Sequence, residues 1–210
     1  MATEPRLHIE FAAGSSMAAI LRRGPTEWTR LLLWDTATDE LAPGSWFHGR
    51  IYEDSCSISP DGTLFSYLAA KHSGNFGEEA CDSWTAISKP PWLTAIAFWP
   101  QIGTQGIGTE FVDDSTLIIS HPHWDELLPR APLPDGFKVL SKFTGRGAPE
   151  QSLPERAKSN AQFHNNRGID QQNRAFEYED GKLARNGEMI ADLSKMKPEP
   201  ERSPEWARSW

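Results

Sequence analysis

The sequence predicts a mainly-β chain of antiparallel strand–turn units, and three observations carry that prediction. Leu7, Ile9 and Phe11 alternate with polar residues, the period of a strand with one face buried. Short apolar runs such as Trp28–Trp34 and Trp92–Trp99 are rich in residues that fit a pleated surface. Between such runs stand turn signals, above all Pro60-Asp-Gly62 and Asp113-Asp-Ser115.

Taken in order, the first strand is expected over 6–12 and a second over 17–21, broken by Arg22-Arg-Gly-Pro25. Trp28–Trp34 is the third, ending in Asp35-Thr-Ala-Thr-Asp39, whose side chains can bond nearby backbone and favour a turn. Cys56–Ser59, Leu64–Ala70 and Trp84–Ser88 are further strands. The near-continuous run Trp92–Trp99 reads as a strand buried on both faces. Glu110–Val112 and Thr116–Ser120 follow. Two turns echo each other: Ser57–Phe65 and Glu110–Ile118 share an Asp-x-Thr-Leu core 53 residues apart.

Residues 1–149 form the expected β domain. Residues 150–210 read as a polar extension: loop with a short helix over 150–173, a late hairpin around Phe176–Leu183 and Asn186-Gly187, and a mobile Pro-rich tail at 197–205. Trp206 and Trp210 are placed to fold back onto the body.

Only 38% of residues are apolar, yet nine Trp and ten Phe supply large buried areas, so a core can form. The net charge is −8. Residues 1–149 hold 18 acidic and 11 basic groups and residues 150–210 hold 11 and 10, so the acidity sits on the body. An acidic body argues against nucleic acid and anionic membranes as partners and suits a basic protein partner. Cys56 and Cys81 stand outside any C-x-x-C spacing and read as buried thiols, with a disulfide between them as the alternative. The N-terminus lacks a basic segment followed by an apolar run, and no stretch reaches 18 apolar residues; a cytoplasmic protein is expected.

Trp34-Asp35 followed by Ser59-Pro-Asp-Gly62 resembles the junction between blades of WD40-type or TolB-type β-propellers. The similarity spans about residues 28–120. At 40–45 residues per blade, 210 residues hold about five at most. The resemblance therefore implies an incomplete or elaborated propeller-like assembly with a polar C-terminal extension. Leu21–Pro25, Phe47–Tyr52, Ala69–His72 and Ser83–Pro91 also resemble segments of a family of uncharacterised bacterial cytosolic proteins. That resemblance implies no particular activity.

Several candidate sites compete. His121-Pro-His123-Trp-Asp125 is similar to the metal-binding loop of metallo-β-lactamase-fold hydrolases, which implies zinc or another divalent metal on His121, His123 and Asp125. The pattern departs at Glu126-Leu-Leu-Pro129, and His164 is the sole histidine downstream. Gly103-Thr-Gln-Gly-Ile-Gly108 is glycine-rich but leads into a strand, so it reads as an inter-strand loop rather than a phosphate cradle. Arg22, Arg23, Arg50 and Lys71, with His48, Tyr52 and His72 near them in sequence, sit at strand ends. If those ends converge they line a small anionic site, since guanidinium grips carboxylate or phosphate. The competing reading is local pairing with Glu53 and Asp54. Trp28, Trp34, Trp46, Trp84, Trp92 and Trp99 suit either a core or a binding platform.

No complete catalytic set emerges. The leading expectation is thus a non-enzymatic protein-binding module, immunity- or antitoxin-like, that neutralises a basic partner and needs no cofactor. The alternatives are a metal-dependent hydrolase at the His-x-His-x-Asp loop and a small-anion sensor at the arginine set.

Overall fold

The computed structural model describes residues 4–24, 26–71, 81–101, 103–105, 107–122, 131–147 and 150–210. They form sixteen strands in four sheets. Sheet 1 is an antiparallel meander of β1 (Arg6–Phe11), β2 (Met17–Arg23), β3 (Trp28–Asp35) and β4 (Glu40–His48). Sheet 2 repeats that plan with β5 (Arg50–Ile58), β6 (Phe65–Ala70), β7 (Ser83–Ser88) and β8 (Ala97–Gln101). Sheet 3 holds β9 (Gly108–Asp113), β10 (Thr116–His121) and β11 (Lys138–Phe143). There β10 and β11 run parallel, because the chain returns through a connection long enough to re-enter in the same direction. Sheet 4 is a five-stranded meander of β12 (Gln162–His164), β13 (Arg167–Ile169), β14 (Ala175–Glu179), β15 (Lys182–Arg185) and β16 (Glu188–Asp192). Among the described residues one 3₁₀ turn, Glu205–Ala207, is the helical element, and no helix is long and apolar enough to cross a membrane.

Sheet 1 is sandwiched. Leu31 and Ala19 point into a core shared with Phe65 and Tyr67 of sheet 2. Ile20, Leu32 and Trp34 point the other way, into a core with Phe176, Tyr178 and Leu183 of sheet 4. Burial on both faces removes the need for polar alternation, so Trp28–Trp34 reads as a nearly solid apolar run. Sheet 2 is likewise two-sided. Its Ile87, Ala97 and Trp99 pack on Phe111, Leu117 and Ile119 of sheet 3.

The run Trp92–Trp99 departs from the expected strand. β8 begins only at Ala97, and the residues before it form a connection, with Leu93 and Ile96 buried, after a turn closed by Trp92 N–H on the Lys89 carbonyl. Side chains from neighbouring sheets serve its backbone: Leu93 N–H donates to Ser45 Oγ at 3.0 Å and Tyr67 Oη donates to the Leu93 carbonyl at 2.6 Å. A buried loop is tolerated where its polar groups find such partners. The stretch 150–173 also differs, carrying β12 and β13 in place of a helix. Positive φ at Asn165 and Asn166 makes the tight two-residue turn that joins them. The same turn geometry recurs at Asp180–Gly181 and Asn186–Gly187.

One device ends strands on every sheet. Asp35, Asp61, Asp113, Asp170 and Asp192 each accept the backbone N–H two residues on, at 2.8–3.0 Å. The two echoing turns meet directly, Asp61 N–H donating to an Asp114 carboxylate oxygen at 2.8 Å. Gly14 N–H donates to the Pro60 carbonyl, and the Gln171 amide donates to the Met17 carbonyl at 2.8 Å. Turns of all four sheets are thereby tied to one another.

After β16 the chain runs back over the other sheets. Arg22 holds the Leu193 and Ser194 carbonyls, Ser203 is buried with its hydroxyl on that of Thr94, and Trp210 packs on Phe137 with ring centroids 5.0 Å apart.

Candidate functional site

The sheet 1–sheet 2 junction makes a cleft. β4 ends at His48 and β5 begins at Arg50, so Gly49 alone joins the two sheets. Its φ is 151°, and a Cβ there would meet the Phe47 ring at 2.7 Å and the Ala70 carbonyl oxygen at 2.9 Å. Glycine permits the abrupt change of sheet. The ends of β2, β4, β5 and β6 then converge with the start of β3. Arg23, Glu27, His48, Gly49, Arg50, Ala70 and Lys71 line a cavity of about 340 Å³.

Three of the four cations expected to line an anionic site therefore come together. Glu53 holds two of them side by side: Oε1 lies 3.3 Å from Arg23 Nη1 and Oε2 lies 3.3 Å from Arg50 Nη2. The local-pairing reading is thus also realised, because the same carboxylate that partners the arginines orients them. The Arg50 guanidinium lies over the Tyr52 ring at 5.2 Å. Its Nε is buried with no hydrogen-bond partner among the described residues. On the cleft rim the His48 imidazole stacks on Trp28, with centroids 4.7 Å apart and planes 30° apart. These two are register partners across β3 and β4. His48 Nε2 sits 3.5 Å from Glu27 Oε2.

Arg22 goes elsewhere. Successive strand residues point to opposite faces, so Arg23 faces the cleft and Arg22 faces away. It is buried, donating to the carbonyls of Leu193 (3.1 Å) and Gly24 (2.6 Å). Arg22 and Arg30 both lie against the Trp46 ring, at 5.7 and 5.2 Å. Burial pulls the Arg22 guanidinium pKa below its ordinary value. Its role is to pin the chain after β16.

His121 ends β10 and is buried, its carbonyl accepting the Thr144 N–H at 3.0 Å. His123 and Asp125 lie outside the described residues, as does His72. Among the described residues no group of three or more His, Cys, Asp or Glu side chains is placed to hold a metal ion. Gly108 opens β9, so the glycine-rich loop does lead into a strand. Of the tryptophans, Trp34, Trp46 and Trp99 are core, whereas Trp28, Trp84 and Trp92 are half-buried.

Sequence reasoning missed a second charged constellation, between sheets 1 and 4. Arg185 grips Asp39 with two hydrogen bonds of 2.8 Å and reaches Asp170 Oδ2 at 3.0 Å. Arg174 Nε reaches the same Asp170 oxygen at 3.0 Å. Trp34 Nε1 donates to Asp39, and the Arg185 guanidinium lies 5.7 Å from the Trp34 ring centre. Burial alone would raise the Asp39 carboxyl pKa; the Arg185 hydrogen bonds, with the charges of Arg185 and Arg174, outweigh it and hold the group below the usual carboxylate range. The partners lie 146 residues apart in sequence, so no local pattern announces them.

Cys56 and Cys81 are free and buried. Burial, with the nearby charge of Glu10 and Glu53, pushes the Cys56 thiol well above its ordinary pKa, and thiolate is the reactive form. A water-soluble disulfide reagent is expected to leave both thiols unreacted in the folded protein and to titrate two after unfolding in urea. Rapid titration in native buffer would contradict this placement.

No family model matches the chain, and no curated protein or solved structure is similar to it at a significant level.

Proposed function

We propose that the chain is a non-catalytic binding module of propeller-like build whose recognition site is the basic cleft at Gly49, and that this site takes a small anion bearing phosphate or carboxylate groups. The observation that carries this reading is the convergence of Arg23, Arg50 and Lys71 on one cavity. Two guanidiniums held on the one carboxylate of Glu53 offer the forked donors that a tetrahedral anion accepts.

The blade reading is supported by a second cavity of about 230 Å³. Residues of β1, β5, β9 and β12 line it together, as innermost strands around a common axis do. Two unpaired thiols support a reducing, cytoplasmic setting. The overall charge, which points to a basic protein partner, sits on residues 1–149, with 18 acidic and 11 basic groups, whereas the cleft gathers Arg23, Arg50 and Lys71. The cleft therefore carries the proposal.

Titration calorimetry with pyrophosphate tests it. Binding is expected to weaken as salt rises. Changing Arg50 to Gln should weaken it about tenfold or more, the equivalent of one lost charge-assisted hydrogen bond. Unaltered affinity in an Arg23→Gln/Arg50→Gln double variant would overturn the site, as would the absence of any heat at about 10 mM ligand, a level that detects millimolar affinity.

A further inference from the structure

We infer that the cleft selects anions carrying a planar aromatic ring, the ligand class being a ribonucleoside 5′-phosphate, with the phosphate on Arg23, Arg50 and Lys71 and the base on His48. This rests on the anion-binding reading above and deepens it.

Trp28 and His48 are cross-strand partners, and Trp28 backs one face of the imidazole at 4.7 Å. The His48 side chain is still 51% exposed and lines the cleft. A ring braced on one side and open on the other is a stacking platform whose orientation is already fixed, so a ligand ring loses little freedom in using it. His48 and Arg50 flank Gly49, so their Cα atoms are at most about 7 Å apart. A ribose bridges such a span between a base and its 5′-phosphate. The carboxylate of Glu27 stands 3.5 Å from His48 Nε2 and is 86% exposed, offering an acceptor to the amino edge of a stacked base. The cavity of about 340 Å³ is at the lower end of the range for small-molecule sites, room for phosphate and sugar with the base at the mouth.

Calorimetric titrations with AMP, adenosine, ribose 5-phosphate and inorganic phosphate test the inference on the wild-type chain and on His48→Ala and Trp28→Leu variants. AMP is expected to bind about tenfold more tightly than ribose 5-phosphate, the size of one base–aromatic stack. His48→Ala should bring AMP to the level of ribose 5-phosphate. Trp28→Leu, which removes only the support, should cost AMP part of that advantage. Equal affinities for AMP and ribose 5-phosphate would overturn the aromatic preference and leave the anion site standing. Adenosine binding as well as AMP would overturn the placement of the phosphate. Failure of every phosphate compound to bind would overturn both readings together.

Discussion

Replacing Asp170 with Ala is expected to lower the unfolding free energy by about 3–5 kcal/mol, the range for breaking a buried, hydrogen-bonded charge pair. For a chain of this size that is a fall in Tm of about 10 °C. Asp170 is fully buried at the sheet 1–sheet 4 interface. One carboxylate oxygen accepts the backbone N–H groups of Gln172 and Arg174 at 2.9 and 2.8 Å; the other takes Arg174 and Arg185 at 3.0 Å. Alanine deletes all four and leaves Arg185 with Asp39 and the Ala175 carbonyl. The turn that carries Gln171 to the Met17 carbonyl loosens with it. Urea unfolding of Asp170→Ala and Arg185→Met variants measures this; losses below about 1 kcal/mol in both would show that the network only decorates the interface. The same network makes the fold acid-sensitive. The Asp39 pKa is depressed in the folded chain, so its contribution is present above the unfolded value near 3.9 and is lost as the pH falls through the folded value.

Gly44→Ala is expected to be comparably damaging, costing about 3 kcal/mol or more, because a Cβ there runs into the main-chain carbonyl of Pro91. The new Cβ meets main-chain atoms of Pro91 and its rigid ring, so no flexible side chain can swing aside. Gly44 lies in β4, and the next residue, Ser45, donates its N–H to that same carbonyl at 3.0 Å and offers its hydroxyl to Leu93 N–H. Sheet 1 and the connection before β8 are held together there. A stable, fully folded Gly44→Ala protein, with wild-type unfolding midpoint and m-value, would mean that the two segments separate at little cost. The same substitution leaves Arg23, Arg50 and Lys71 untouched, so any folded fraction should keep its affinity for pyrophosphate.

The segments that the sequence exposes are those whose pattern is local. Alternation at Leu7, Ile9 and Phe11 and the Asp-based turns at Asp35, Asp61 and Asp113 depend on neighbours one to three residues away. So do the Asp180–Gly181 and Asn186–Gly187 turns, since only residues tolerant of positive φ fill them. The run Trp92–Trp99 misleads because apolarity reports burial, not conformation. Its first half is a loop anchored by the buried Leu93, whose backbone is served by Ser45 and Tyr67, which lie far away in sequence. Arg22 and Arg23 look equivalent as neighbours, yet strand alternation sends one to the cleft and the other beneath the returning chain.

By itself the sequence determined a mainly-β chain with turns at particular aspartates and glycines, and a set of cations at strand ends. Each of these follows from hydrogen bonding or periodicity over a few residues. Only the tertiary structure decided that Arg23, Arg50 and Lys71 share one cleft without Arg22, that His48 is braced on Trp28, and that Asp39, Asp170 and Arg185 lock two sheets together. Those contacts join strands tens of residues to more than a hundred apart, and their geometry is set by how the sheets pack rather than by any local spacing.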